Sequence, residues 1–194
     1  DFWNNELGKA GDMQKVKMAA GITAKIGRFL FSASARRMIE QPKSTINFED
    51  VLASNKILIC NFSKGLLGED TSALFGTTVL AKLQTAALRR ARMEQIDRTP
   101  YYLYVDEFQN FATDSFATIL SEARKYGLNL TVANQYISQM SETVRDAVFG
   151  NVGTTISFRV SADDAPILSK QFEPNFEAAD ILQMHNRNFI INMV

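Results

Sequence analysis

The hydrophobic and polar positions along the chain alternate between a helical and a strand period. Residues 9–40 carry apolar side chains at helical spacing among basic ones, and Gln41-Pro42 ends that pattern. Short runs rich in β-branched and aromatic residues predict five buried strands, at residues 56–62, 101–105, 128–133, 154–160 and 188–194. Helical patterns separate most of these strands, so the sequence predicts an α/β fold with a mostly parallel, helix-covered sheet.

Six further helices are predicted, at residues 48–53, 69–93, 114–126, 141–149, 164–172 and 176–184. Asn47 is the expected N-cap of the first, and Gly127 is the expected C-cap of the third. Ser161 and Asp164 have the spacing of a capping box before the helix at 164–172. The predicted core residues of the helix at 69–93 are Leu74, Val79, Leu83 and Leu88.

Composition and charge restrict the class of protein. The 194 residues are 46% hydrophobic and 22% charged, which is typical of a globular chain. The 21 Lys and Arg residues balance 21 Asp and Glu residues, which argues against a wholly basic surface for nucleic acid. The single cysteine, Cys60, excludes an intrachain disulfide and is a predicted core residue of the strand at 56–62.

The residue pair with the clearest chemical signal is Asp106-Glu107, which follows the apolar strand at 101–105. Ligands of parallel α/β sheets lie beyond the carboxyl ends of the strands, where these acids are expected. In nucleotide hydrolysis the first acid can hold the Mg²⁺ shell and the second can deprotonate the attacking water. Taken alone, the pattern fits a solvated acidic turn equally well.

A neutral amide follows the next strand. Asn134-Gln135 comes directly after residues 128–133, at the same predicted edge of the sheet. An amide there can hydrogen-bond both a water and a phosphate oxygen without adding charge. An Asn-Gln pair after a strand is by itself usually a turn, but here it is a second match next to the acidic pair.

These motifs resemble the TraG/TraD-type coupling proteins, the conjugation and type IV secretion ATPases of the FtsK–HerA superfamily. The resemblance rests on the runs YLYVDEFQNF, ILSEARKY and ANQ, and it extends through DAVFGNVGT and ISFRV. Upstream it includes KILICNFSKG, so that it covers roughly residues 46–172. It implies a RecA-like, mostly parallel sheet flanked by helices over residues 44–194, preceded by part of an all-α subdomain over residues 1–43.

The resemblance also implies site residues. Asp106 matches the Walker B aspartate on the Mg²⁺ shell, and Glu107 matches the catalytic glutamate. Gln135 matches the glutamine that senses the γ-phosphate of ATP. Arg124 lies where coupling proteins carry an arginine finger, which acts on the neighbouring subunit's nucleotide in a hexameric ring. A helix-terminal cation that complements the helix dipole is the alternative for Arg124.

One motif of the family is absent from the sequence. No Gly-x-x-x-x-Gly-Lys-Ser/Thr turn is present, and Ser63–Asp70 is expected to be a loop. The P-loop strand is expected to precede residue 1, so this chain is expected to bind ATP–Mg²⁺ no better than millimolar. Without that strand, residues 128–133 and 154–160 are expected either to keep unpaired ladder groups or to pair with each other.

The function that the resemblance implies is delivery of DNA, with its relaxase, to a type IV secretion channel at the cytoplasmic face of the bacterial inner membrane. A homo-hexamer would perform it with ATP and Mg²⁺. A non-catalytic docking module for a relaxosome accessory protein is the alternative from another class. An FtsK- or HerA-like DNA-pumping ATPase is the third, although the Phe108–Phe111 stretch favours a coupling protein.

Overall fold

The computed structural model describes residues 5, 8–9, 11–30 and 32–193. The chain divides into two compact units. The first contains the residues up to Ile46 together with Ile59–Gly76, and the second contains Asn47–Leu58 together with the residues from Thr77 onward. The predicted boundary at residue 43 is close to the end of the first of these segments, but the first unit also takes in a later part of the chain.

The first unit is helical. Helix α1 spans Asp12–Leu30 and α2 spans Ala33–Ile39, so the single helix predicted over residues 9–40 is wrong. Ser32 is the N-cap at which α2 begins, because its hydroxyl accepts a hydrogen bond from the amide of Ala35 at 3.3 Å. The predicted apolar positions Ile22, Ile26, Phe29 and Leu30 lie outside the described side chains. Helix α4, Lys64–Leu67, lies within the predicted loop at 63–70.

The strand predicted at residues 56–62 is wrong. This segment has no strand structure, and the side chains of Ile57 and Ile59 are 90% and 87% exposed. Cys60 is exposed as well, which contradicts its prediction as a core residue. A strand needs a neighbour to pair its backbone groups, and among the described residues none pairs with this segment.

Helices α3, Phe48–Ala53, and α5, Glu69–Arg89, support the second unit, and the first turns of α5 belong to the first unit. Asn47 caps α3 as predicted, because its side chain accepts from two amides. A 3₁₀ turn at Arg90–Arg92 replaces the last turn of the helix predicted to reach residue 93. Leu88 is 39% exposed and was wrongly predicted as core. The buried face of α5 follows Leu80, Leu83 and Ala87, and Leu88 lies off that face.

In its described residues, the second unit contains four strands in two small sheets. Strands β1, Tyr101–Val105, and β2, Leu128–Val132, are parallel, with Tyr101 paired to Leu128 and Val105 to Val132. Strands β3, Thr154–Ser157, and β4, Ile190–Met193, are antiparallel. The single, mostly parallel sheet predicted from the sequence is therefore not observed in the described residues, and a RecA-like sheet stays a prediction. Strands β2 and β3 do not pair with each other, and each has one partner among the described residues, β1 for β2 and β4 for β3.

The remaining helices are α6 at Asp114–Glu122, α7 at Glu142–Asn151, α8 at Ala165–Ser169 and α9 at Ala178–Gln183. They confirm the predicted order; α6, α8 and α9 are shorter than predicted, whereas α7 extends two residues past its predicted end. A 3₁₀ turn at Ala123–Tyr126 follows α6, and Gly127 ends it at φ +72°, as predicted. The cores of the second unit are two clusters of buried side chains. The first cluster has Leu52, Phe108, Phe116, Leu128 and Val144 among its members, and the second cluster comprises Ile137, Leu168, Phe172, Ile181 and Ile190.

Only one face of the β1–β2 sheet is covered. Val105 is buried, and Tyr101 and Leu103 pack against the first cluster, whereas Tyr102 and Tyr104 on the other face are 63% and 72% exposed. This alternation follows from the two-residue period of a strand. The predicted cover of helices is thus present on one face of this sheet.

Candidate functional site

The two predicted acids lie at the carboxyl end of β1, on a turn that a buried aromatic ring anchors. Phe108 is fully buried, with its ring centroid 4.9 Å from that of Phe116. The amide of Phe108 donates to the carbonyl of Ala133 at 2.9 Å, which continues the contact between β1 and β2 past their ends. Between strand and ring, Glu107 takes a left-handed backbone conformation with φ +50°. Such conformations are uncommon outside glycine, and the buried Phe108 holds the turn in place.

The structure brings Glu107 and Gln135 together, as the parallel order of their strands predicts. The side-chain amide nitrogen of Gln135 donates a hydrogen bond to Oε1 of Glu107. The amide of Ala133 donates to the carbonyl of Val105 at 2.9 Å, so the register carries Gln135 to the same edge as the acids. The carboxylate and the amide therefore lie within reach of one bound water.

A second amide at this site was not predicted. Gln109 Nε2 donates to Oε2 of Glu107 at 2.5 Å, so that each carboxylate oxygen of Glu107 accepts from one glutamine. The Oε1 atom of Gln109 is buried and has no hydrogen-bond partner in the described part of the chain. The signal in the sequence was its position two residues after Glu107, within the 3₁₀ turn Phe108–Asn110 that follows the acid.

Asp106 is exposed beside this cluster. One of its carboxylate oxygens accepts the amide of Glu107 at 3.0 Å, which leaves the other oxygen available to a cation. No group of three or more His, Cys, Asp or Glu side chains that could hold a metal ion is found in residues that the structure describes. A single carboxylate suits Mg²⁺ that takes its other ligands from phosphate and water. The residues thus fit the hydrolytic half of a magnesium–nucleotide site, whereas the phosphate-binding turn is not in the sequence.

Arg124 does not join the other predicted site residues. It lies in the 3₁₀ turn Ala123–Tyr126, just before β2 begins, whereas Glu107 and Gln135 follow the carboxyl ends of their strands. A five-residue strand separates the two edges by about 16 Å. The guanidinium is exposed and forms no ion pair with the described residues. An action on a neighbouring subunit's nucleotide stays a prediction.

Two other arginines hold the turn that carries Arg124. Arg90 is 6% exposed, and its guanidinium donates to the carbonyls of Thr99, Tyr126 and Leu52 at 2.8, 3.1 and 2.7 Å. Burial lowers the pKa of Arg90, and the charge of Arg98 acts in the same direction. Arg98 donates to the carbonyl of Lys125 and lies 5.7 Å from the centre of the Tyr126 ring. The two arginines thereby hold the backbone carbonyls of Lys125 and Tyr126, which directly follow Arg124.

A buried carboxylate next to the Gln135 segment was missed as well. Asp164 was predicted only as part of a capping box, and one half of that box is present, because its amide donates to the Ser161 hydroxyl at 3.3 Å. The other half is missing, because the carboxylate does not accept a hydrogen bond from the amide of Ser161. It accepts instead from the amides of Ile137 and Ser138, which the local sequence pattern could not indicate.

Residues 100–172, which contain all of these acids and glutamines, match the family described as the TraM recognition site of TraD and TraG. Over this segment, which is less than half of the chain, the sequence is similar to the TraG/TraD family. The TraG/TraD match confirms the resemblance predicted from the Asp106-Glu107 and Gln135 motifs, and residues 46–99 of that resemblance stay a prediction. A comparison with curated proteins finds no match to the chain. Over the described residues, none of the helices has the length and apolar character needed to cross a membrane.

Proposed function

We propose that the chain supplies the hydrolytic side chains of a TraG/TraD coupling protein that uses ATP to move DNA. The observation that carries this proposal is the hydrogen bond from Gln135 to Glu107, which joins the carboxyl ends of two neighbouring parallel strands. A carboxylate and a neutral amide at this edge are the groups that hydrolysis of a bound nucleotide requires. The TraG/TraD match over residues 100–172 supports the same assignment.

Each side chain has a distinct role in this proposal. Asp106 would hold Mg²⁺ through one carboxylate oxygen, and the bound ion would supply positive charge to neutralise the phosphates. Glu107 accepts the proton of a water held at its carboxylate. Gln135 donates to Glu107 through Nε2 and keeps its own carbonyl oxygen for a hydrogen bond from that water. The phosphate-binding turn would come from another part of the full protein.

The wider assignment follows from the family. The protein would work as a homo-hexamer at the cytoplasmic face of the bacterial inner membrane. Its cargo would be DNA with an attached relaxase, passed to components of a type IV secretion channel. Arg124, exposed at the opposite edge of β2 from Glu107, is suited to reach a nucleotide on a neighbouring subunit.

The test of this function uses a coupling protein that contains this chain together with its P-loop. Glu107→Gln keeps the size of the side chain and removes the base, so we expect nucleotide binding to persist while hydrolysis is lost. Glu94→Gln, at an exposed glutamate outside the matched segment, is the control and should hydrolyse ATP at the normal rate. Hydrolysis by Glu107→Gln at the control rate contradicts the proposal.

A docking role is the second candidate, and the description of the family model favours it. The matched segment is the TraM recognition site of TraD and TraG, and TraM would be the relaxosome accessory protein that this chain binds. Four apolar side chains of the segment are more than half exposed, namely Tyr102, Tyr104, Ile156 and Phe158. Exposed aromatic and aliphatic groups of this kind are common anchors of protein interfaces.

Calorimetry of purified TraM with this chain tests the docking role. We expect binding that weakens at least tenfold when Phe158 is changed to Ser, because the buried aromatic anchors of an interface carry most of its affinity. The control is Ile96→Ser, at an apolar residue that is 94% exposed and lies outside the matched segment. Absence of heat with the unmodified chain, or equal affinity of both variants, argues against docking through this surface.

A further inference from the structure

The strongest unassigned group is the carboxylate of Asp164, which lies directly before α8. We propose that Asp164 is a positioning residue that keeps Gln135 in contact with Glu107. The proposal rests on the function proposed above, because it gives Asp164 a part in the same hydrolytic site. It is drawn from the burial of the carboxylate and from the two amides that it binds.

Asp164 is 1% exposed, and both of its carboxylate oxygens are used. Oδ2 accepts the amide of Ile137 and Oδ1 accepts the amide of Ser138, each at 3.2 Å. No ion pair to Asp164 exists within the described residues. A buried carboxylate without a cation is costly unless amides satisfy its oxygens. The backbone at Ile137 and Ser138 is therefore bound to this position.

That backbone follows Gln135 by two and three residues. Ile137 begins a 3₁₀ turn, and its side chain is 6% exposed within the second cluster, next to Leu168 and Phe172. The turn is thus attached to the α8 region twice, by the carboxylate of Asp164 and by an apolar contact. Gln135 itself is exposed, so its position depends on the anchored backbone that follows it and on its bond to Glu107.

The first test is independent of catalysis and uses this chain. Asp164→Asn preserves the shape of the side chain but replaces one acceptor oxygen by a donor, so that one of the two amides loses its partner. We expect the NMR signals of the Gln135 side-chain amide to move toward the position of a free amide. Asp163→Asn, at the exposed neighbour, is the matched control and should leave those signals in place. Unchanged Gln135 signals in both variants overturn the proposal.

The second test measures hydrolysis in the coupling protein. A misplaced Gln135 is expected to lower kcat of Asp164→Asn by about tenfold to a hundredfold, with little change in KM for ATP. If Asp164 acts through Gln135, then adding Asp164→Asn to Gln135→Ala should cause no further loss of kcat. A purely structural residue would give multiplied losses, and that result overturns the proposal.

The two tests separate the proposal from the function on which it rests. If Gln135→Ala hydrolyses ATP at the normal rate, the proposed function fails, while the NMR signals still decide whether Asp164 positions Gln135. If Asp164→Asn does not fold, amide hydrogen exchange of the unmodified chain takes its place. The amides of Ile137 and Ser138 should then exchange slowly, and exchange as fast as in an unfolded chain overturns the proposal.

Discussion

The buried guanidinium of Arg90 allows a direct test of what holds the second unit together. Its side chain connects three segments, through the carbonyls of Leu52 in the last turn of α3, Thr99 before β1 and Tyr126 before β2. Arg90→Met retains much of the apolar stem and removes all three donors. The three carbonyls would then be left without this partner in a region where the residue at position 90 is only 6% exposed.

The expected loss is large for a single substitution. A hydrogen bond to a charged group contributes about 1.5–3 kcal/mol, and such contributions are not additive. Removing three such bonds destabilises the fold, but removing the guanidinium also removes the cost of burying its charge. Together the two effects lower the free energy of unfolding by about 3–5 kcal/mol. Arg90→Lys should lie between this variant and the native chain, since an ammonium keeps the charge but lacks the planar fork that reaches three carbonyls.

Urea unfolding followed by far-UV circular dichroism measures this loss. The matched control is Arg92→Met, two residues away and exposed, which should change the free energy of unfolding by less than about 0.5 kcal/mol. The m-value should stay constant if only the native contacts change. Equal midpoints for Arg90→Met and Arg92→Met would show that the three hydrogen bonds do not stabilise the fold and would refute this reasoning.

Three further predictions concern individual side chains. Arg124→Ala in the coupling protein should lose ATP hydrolysis, and mixing with Glu107→Gln subunits should restore part of it; hydrolysis that stays absent in mixed rings argues against action between subunits. Cys60 should react to completion with a maleimide in the native chain, although slowly because partial burial raises the pKa of its thiol, and a protected thiol would indicate a buried strand. Hydrogen bonds from Lys56 and Ser54 lower the pKa of Asp50 from its ordinary value of 3.8. These hydrogen bonds therefore stabilise the fold above pH 3.8, and the stabilisation is lost as the pH falls through the lower pKa that Asp50 has in the folded chain. Asp50→Asn should lower the urea midpoint at pH 7 but not in strong acid.

The sequence predicted those features of the site that depend on local patterns. The strand before Asp106 and the strand before Gln135 are marked by apolar runs, and parallel order is enough to bring their carboxyl ends together. Gly127 was predicted to end the preceding turn because glycine takes the left-handed backbone conformation at little energetic cost. Each of these signals lies within a few residues of the feature that it predicts.

The predictions that failed depend on distant partners. Residues 56–62 have the composition of a buried strand, but a strand also needs a neighbour, and in the described residues this segment has none. The pattern around Ser161 indicated a capping box, whereas the Asp164 carboxylate binds amides 26 and 27 residues earlier in the chain. A pattern of a few neighbouring residues indicates neither that a strand lacks a pairing partner nor that a carboxylate binds a distant amide.

The placement of Glu107 and Gln135 relative to the two clusters has a consequence for the site. Phe108, directly after Glu107, is a member of the first cluster, and Ile137, two residues after Gln135, is a member of the second. The hydrogen bond between Gln135 and Glu107 therefore spans the two clusters of the second unit. Because a hydrogen bond weakens steeply with distance and angle, a small displacement of one cluster relative to the other suffices to separate the pair. The Glu107–Gln135 pair is thus sensitive to how residues 165–190 pack, although none of those residues contributes a side chain to it.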